Sequence, residues 1–218
     1  MKIIALELSS ARGSLAWSDG DVEFSRDWPN DRQDSSAFFQ NLAAARKEFG
    51  LPDAIVVGLG PGSYAGTRIA ISAAIGLWLA GGTGSVSSQN FGQYGGRLPT
   101  KLLGYPSICA IAADENNYCV IGDARRNSFF FARVDANKLV EGPDLLTEAE
   151  LKRKLNKFET GMSIFASQKL SQFENITLRY PSACVLAKLA RDPERKFLQP
   201  PLEPMYLREP YITVPKMT

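Results

Sequence analysis

Residues 58–68 of the 218-residue chain read GLGPGSYAGTR and carry the strongest structural signal in the sequence. Their first two residues end the stretch 54–59 (AIVVGL), an apolar run without alternation that predicts a strand buried on both faces of a sheet. They lead into a helix predicted from about residue 67 to residue 79 and ended by Gly81 and Gly82. A buried strand, a glycine-rich turn and a buried helix in succession indicate an α/β protein.

The predicted elements occur twice in one order, which is three strands, a helix, a strand and a helix. The first set comprises strands at residues 3–8, 13–18 and 21–25, a helix at 34–49, and the strand and helix given above. The second set comprises strands at residues 107–113, 118–122 and 128–134, a helix from Thr147, a strand at 162–166 and a helix ending at Ala190. The repeated order predicts two lobes of similar topology.

The division between the lobes is expected near residues 97–106. We therefore assign residues 1–100 to a lobe that contains the glycine-rich turn and residues 101–218 to a second lobe. Five prolines after residue 197 prevent a regular helix or a central strand in the C-terminal tail. The apolar residues of this tail predict that it lies extended across the body of the protein, either as an ordered strap or as a partner-binding tail.

The amino-acid composition excludes several classes of catalytic site. The sequence contains no histidine, which removes Ser-His and Cys-His nucleophiles, histidine general bases and histidine-ligated metals. The three cysteines, Cys109, Cys119 and Cys184, are scattered among apolar neighbours, so they predict buried thiols and neither a disulfide framework nor a metal site. We expect no bound metal.

Charge and hydropathy predict a cytoplasmic protein without membrane contact. The formal net charge of +2 is too small to indicate a nucleic-acid-binding surface by itself, and Arg125 and Arg126 are interpreted as a solvated hairpin turn. The first apolar run reaches Glu7 too soon for a signal peptide. The apolar stretch at residues 69–80 is shorter than the ~20 residues of a membrane span.

The glycine-rich turn permits two interpretations. Backbone N–H groups at the start of a helix can hold an anion or a nucleotide, and the residues placed for this are Gly60, Gly62, Ser63, Gly66 and Arg68. Alternatively, the turn is a tight connection without a ligand. It lacks the Lys and Ser or Thr of a P-loop, and it matches the dinucleotide pattern GxGxxA only with a proline in place of one N–H donor.

The same segment resembles a family signature. Residues 60–69 (GPGSYAGTRI) resemble the GPGSFTGxRIG motif of the TsaB (YeaZ) family, which is related to the glycoprotease-like TsaD proteins. Three further segments resemble family motifs in the same order: residues 3–16 its opening hairpin, residues 122–131 its IDARRGEVY hairpin, and residues 204–208 (PMYLR) its terminal P-x-YLR. The resemblance extends over the whole chain.

This resemblance implies a duplicated actin-like ATPase fold, of the ribonuclease H-like type, with two lobes of mixed sheet. It implies a non-catalytic subunit that activates a TsaD-type enzyme in N6-threonylcarbamoyladenosine formation at position 37 of tRNA. A TsaE-type ATPase would join through that enzyme, and tRNA would be bound only by the complex. A homodimer is an alternative assembly. The partner interface would include Phe38, Phe39, Leu42, Ile69 and Ile75; no cofactor is implied, although weak ATP binding stays open.

Departures from the family pattern keep a second function open. Glu7 replaces the aspartate of the first strand, Ala65 replaces a threonine, and residues 32–35 (RQDS) differ from the usual start of the first helix. A stand-alone actin-like ATPase or small-molecule kinase would use the glycine-rich turn for phosphate, with Glu7, Asp114 and Asp123 as its carboxylates. A third alternative is a diverged homodimer without a TsaD partner.

Overall fold

The structure of the protein is a computed structural model that describes residues 1–20, 22–30, 34–81, 100–157 and 161–208. The sequence-based predictions for Gly82, for residues 32–33 and 97–99, and for the tail after residue 208 lie outside the described residues. The described chain contains two five-stranded mixed sheets and four α-helices.

The first sheet contains β1 (Lys2–Glu7), β2 (Arg12–Asp19), β3 (Val22–Pro29), β4 (Ala54–Gly58) and β5 (Lys101–Tyr105), in the spatial order β3-β2-β1-β4-β5. Strands β1 to β3 are antiparallel neighbours, whereas β4 pairs with β1 and β5 pairs with β4 in parallel. Its helices are α1 (Ser36–Phe49) and α2 (Tyr64–Ala80).

The second sheet contains β6 (Asn117–Asp123), β7 (Ser128–Asp135), β8 (Lys138–Thr147), β9 (Ser163–Ala166) and β10 (Ile176–Leu178), in the order β8-β7-β6-β9-β10. Its pairings repeat those of the first sheet, with β6 to β8 antiparallel and β9 and β10 added in parallel. Helix α3 (Glu148–Leu155) precedes β9, and α4 (Ala183–Leu189) follows β10. The predicted duplication is confirmed at the level of topology.

The predicted strand at residues 107–113 is wrong, because Ser107–Ala110 form a 3-10 turn. The three antiparallel strands of the second lobe are therefore β6, β7 and β8, so the first of them is the predicted second strand. Periodicity alone does not distinguish a short buried apolar run from other buried structure. Strand β8 escapes sequence-based prediction since Gly142 and Pro143, which mark turns, lie in its middle, an arrangement that an edge strand tolerates.

Strand β5 completes the first sheet, so that sheet extends to Tyr105, one strand beyond the sequence-based division at residues 100 and 101. Two of the three hydrophobic clusters cover the outer faces of the sheets, one beneath α1 and α2 and one beneath α3. The third lies between the sheets and includes Val56 of β4, Val120 of β6 and Leu186 of α4. Helix α4 packs on β1, β2 and β4, so the end of the second lobe covers the first sheet.

The strap lies along the first lobe, as its apolar residues predict. Leu198 pairs with Gly104 through backbone hydrogen bonds in both directions, and the Met205 N–H donates to the Leu59 carbonyl over 2.7 Å. Leu202 is buried against the core of the first lobe. These contacts hold residues 204–208 beside the glycine-rich turn.

Candidate functional site

A cleft of about 480 Å³ lies between the two lobes. The β1–β2 turn and the glycine-rich turn line its side in the first lobe, and the β6–β7 hairpin lines its side in the second. Residues 204–208 of the strap and residues 167–168 after β9 complete its wall. The four motifs on which the family resemblance rests are far apart in sequence, and the structure brings parts of all four to this cleft.

Hydrogen bonds within the chain occupy several N–H donors of the glycine-rich turn. The Gly60 N–H donates to the Ser107 hydroxyl over 2.9 Å, and the Ser63 N–H donates to the Ser9 carbonyl over 2.6 Å. Ser63 is the N-cap of α2, and its hydroxyl accepts the Gly66 N–H over 3.2 Å. Pro61 has no N–H to donate. Few backbone N–H groups of the turn therefore remain to bind a phosphate.

Close backbone packing explains two of the glycines. A Cβ atom on Gly62 would overlap the Ser9 carbonyl, and one on Gly66 would overlap the Leu8 carbonyl. Helix α2 thus begins in direct contact with the turn after β1, which leaves no room for side chains at these positions. Gly60 has a φ of 89°, which L-residues rarely adopt. These observations favour the interpretation of the turn as a tight connection.

The five candidate anion-binding residues do not converge on one point. Gly62 and Ser63 line the cleft, whereas Gly60 and Gly66 are not among its lining residues. Arg68 lies outside it, with its guanidinium 5.0 Å from the centre of the Tyr64 ring and a 2.6 Å hydrogen bond to the Tyr64 hydroxyl. Arg68 therefore does not line the cleft, and the arginines that do are Arg125 and Arg208 of other segments.

Glu7 is completely buried behind the glycine-rich turn. Its Oε1 accepts the Ser9 N–H over 2.6 Å, while its Oε2 lies against Gly58 and Ser107 without a hydrogen-bond partner among the described residues. Burial raises the pKa of this carboxyl, and polar groups of Ser9 and Ser107 offset part of the rise. A buried carboxyl with a raised pKa favours its neutral form and is poorly suited to bind a cation.

The other two carboxylates proposed for an ATPase lie apart from Glu7. Asp123 lines the cleft, where its Oδ1 accepts the Arg125 N–H over 2.7 Å. Asp114 is exposed and does not line the cleft. Within the described ranges, no group of three or more Cys, Asp or Glu residues is placed to hold a metal ion. The three candidates do not form one carboxylate cluster.

The predicted partner interface divides between core and surface. Phe38 and Leu42 are buried beneath α1, because their i, i+4 spacing directs both toward the first sheet. Neither side chain is exposed in this conformation, so both belong to the core of the first lobe here. Phe39 and Ile75 are exposed, and Ile69 is half-buried.

A surface on α2 extends beyond the predicted interface. It consists of Ser72, Ile75, Gly76 and Leu79, which are all exposed, and we call it the α2 stripe. Leu79 is 60% exposed, and a Cβ built on Gly76 meets no atom within 4 Å. The predicted interface names only Ile75 of these four residues, although the helical spacing of residues 72, 75, 76 and 79 could have indicated the other three.

No protein-family model matches the chain, and no curated protein matches it in sequence. An uncharacterized protein with similarity to peptidase YEAZ from Pseudomonas aeruginosa is 18% identical, with a TM-score of 0.70 over 95% of this chain and 99% of its own. YeaZ from Pseudomonas aeruginosa is also 18% identical, with a TM-score of 0.60 over 87% of this chain and 90% of its own.

The chain has the YeaZ fold. The predicted α/β class with two lobes of mixed sheet is confirmed by the repeated strand order and by the fold that the chain shares with these two structures. At this level of identity the YeaZ fold does not assign an activity, which has to be argued from the residues. None of the described helices is long and apolar enough to span a membrane.

Proposed function

We propose that the chain is a non-catalytic accessory subunit that binds a TsaD-type enzyme and supports threonylcarbamoyl transfer to adenosine 37 of tRNA. The observation that carries this proposal is the α2 stripe on a chain with the YeaZ fold. A TsaE-type ATPase would join through the enzyme. The chemistry would be performed by the partner, because this chain has no histidine and buries Glu7 away from the cleft.

The α2 stripe has the properties of a helix-docking surface. Ile75 and Leu79 present apolar side chains to solvent, and contiguous exposed apolar residues mark interaction sites. Between them, Gly76 leaves open space through which a partner helix could approach the α2 backbone. Leu79, near the end of α2, is more exposed than Ile75. The same surface could join two copies of this chain, which makes a homodimer the competing assembly.

The first test of the proposal is complex formation. We expect the chain and the TsaD-type protein of the same organism to form a stable complex in size-exclusion chromatography with light scattering. The double substitution of Ile75 and Leu79 by Glu should abolish this complex. Val140→Glu is the control, since Val140 is an apolar residue on β8 of the other lobe whose exposure (52%) lies between those of Ile75 (36%) and Leu79 (60%). A complex that withstands the double substitution would contradict the assignment of the stripe.

The second test is the modification itself. Loss of the gene should lower the threonylcarbamoyladenosine content of tRNA nucleosides measured by mass spectrometry, and the wild-type chain should restore it while the stripe variant should not. Unchanged modification in the deletion strain would overturn the proposed function.

The cleft keeps the stand-alone ATPase or kinase as a second candidate, because its volume lies within the range of small-molecule sites. Calorimetry with ATP and Mg²⁺ separates the two candidates. Tight binding accompanied by hydrolysis would favour the enzyme, whereas millimolar or weaker affinity would favour the accessory subunit.

A further inference from the structure

Five exposed arginine and tyrosine residues form a row at the mouth of the cleft. The row consists of Arg68, Tyr64, Tyr206, Arg208 and Arg125. The Tyr64 and Tyr206 rings lie 5.5 Å apart, with Arg68 over Tyr64. Arg208 donates from Nη2 to the Arg125 carbonyl over 3.4 Å and so continues the row into the second lobe. We call these residues the cleft-mouth row.

The row combines accessible aromatic rings with positive charge. Tyr64 is 55% exposed and Tyr206 is 45% exposed. No carboxylate of the described residues forms an ion pair with Arg68, Arg125 or Arg208. The acidic groups nearby are Asp123, whose Oδ1 accepts a backbone N–H, and Glu203 on the strap. Three arginines thus lie along one edge of a protein whose net charge is only +2.

The backbone that presents Arg125 is unusual. Arg125, Arg126 and Asn127 have φ values of 67°, 53° and 54°, and this left-handed conformation costs roughly 1–2 kcal/mol for an ordinary L-residue. The Asp123 carboxylate holds the Arg125 N–H, and the Ser128 N–H donates to the Arg125 carbonyl over 3.1 Å. The hairpin therefore keeps an arginine at the cleft mouth in a conformation that glycine or asparagine would adopt at lower cost.

We propose that the cleft-mouth row binds a single-stranded nucleic acid directly. Aromatic rings provide stacking surfaces for unpaired bases, and arginine side chains neutralise the phosphates between them. An acidic protein segment would use the arginines but would gain little from two exposed tyrosine faces, so the composition of the row favours a nucleic acid. The cleft beneath the row provides space for an unstacked base. The row adjoins the α2 stripe on the same helix but shares no residue with it, and it does not require the proposed partner.

The test is fluorescence anisotropy of the full-length chain with a fluorescein-labelled, unstructured 12-nucleotide RNA of mixed sequence. We expect saturable binding at low salt that weakens as salt is added. Tyr206→Ala should weaken binding by about tenfold, whereas Tyr206→Phe, which keeps the ring, should preserve it. Substituting Arg125 and Arg208 by Ala should reduce the slope of log affinity against log salt by about 1.4, which is 0.7 for each phosphate contact removed.

The control variant replaces Lys152 and Arg153 by Ala. These residues are exposed on α3, so the net charge changes equally without altering the row, and we expect unchanged affinity. The α2 stripe variant should also bind the RNA normally, which distinguishes failure of this inference from failure of the proposed function. Circular dichroism melting verifies that each variant folds. If Tyr206→Ala does not fold, the two-arginine variant, which removes no buried side chain, still tests the proposal.

Three outcomes would overturn the proposal. The first is the absence of saturable RNA binding by the wild-type chain at low salt. The second is binding that the two-arginine variant and the α3 control variant weaken equally. The third is displacement of the RNA by poly-glutamate as effectively as by unlabelled RNA, which would assign the row to an acidic protein segment.

Discussion

Glu7 stands where the family resemblance implies an aspartate, and the longer side chain changes the position of the carboxyl. Its extra methylene places the carboxyl over Gly58, where burial raises its pKa. The pKa of Glu7 is therefore higher in the folded state than in the unfolded state. Its contribution to the free energy of unfolding is complete at acidic pH, and it is lost as the pH rises through the folded-state pKa. Glu7→Gln keeps the shape without this titration. We expect it to be more stable than the wild type at pH 8, with a difference that shrinks toward pH 4.

Thermal unfolding at several pH values measures this difference. Glu7→Ala is the companion variant, because it removes the titration but leaves a cavity, and we expect it to be less stable than Glu7→Gln at every pH. A Glu7→Gln variant that loses stability at pH 8 would show that the carboxylate form is required.

Two glycines of α2 provide a matched pair. A Cβ on Gly66 would overlap the Leu8 carbonyl, whereas one on Gly76 meets open space. Gly66→Ala should therefore destabilise the protein by about 2 kcal/mol or more, and Gly76→Ala should stabilise it by about 0.5–1 kcal/mol through helix propensity. Urea denaturation of both variants checks the prediction. Equal effects would mean that the start of α2 can move away from the β1–β2 turn.

Elements with a strong local signal were predictable from the sequence. Strand β4 and helix α2 follow from an uninterrupted apolar run and from the glycine-rich turn after it, although α2 begins at Tyr64, three residues before the predicted start. Strands β5, β8 and β10 were not predictable, since β8 carries Gly142 and Pro143 and β10 has only three residues. Their place in the sheets depends on pairing with distant strands, a property that a local sequence window does not contain.

Arg195, in the turn after α4, connects β5 of the first sheet with the β7–β8 turn of the second. The Arg195 Nη1 donates to the Tyr105 hydroxyl over 2.9 Å and to the Asn137 carbonyl over 3.0 Å. The same hydroxyl donates to the Asn137 carbonyl over 2.6 Å. Tyr105→Phe removes this hydroxyl while keeping the ring, which packs on Phe197. We expect a loss of about 1 kcal/mol in urea denaturation, and no loss would mean that Arg195 alone connects the elements.

The functional site becomes visible only in the whole molecule. The sequence identified the glycine-rich turn, the β6–β7 hairpin and the strap as separate motifs, and no spacing indicated that they share a cleft. It also placed Arg125 in a solvated turn, because the contact of its backbone with Arg208 joins positions 83 residues apart. The contact between these distant segments was therefore not predictable from the sequence. The motifs that line the cleft were predictable one by one.

The same long-range packing predicts cooperative unfolding of both lobes. The hydrophobic cluster between the sheets joins Val56, Val120 and Leu186, so neither lobe can lose its structure without exposing part of the core of the other. The three tryptophans, Trp17, Trp28 and Trp78, all lie in the first lobe. Their fluorescence reports on that lobe, while far-ultraviolet circular dichroism reports on both.

We expect the two signals to give one coincident transition in urea. Tyr105→Phe should shift both transitions together, because the residue it alters bridges β5 and the β7–β8 turn. A circular dichroism transition that continues after the tryptophan signal is complete would show that the second lobe unfolds separately. That outcome would mean that helix α4, which crosses from the second lobe to cover the first sheet, contributes little to the coupling of the two lobes.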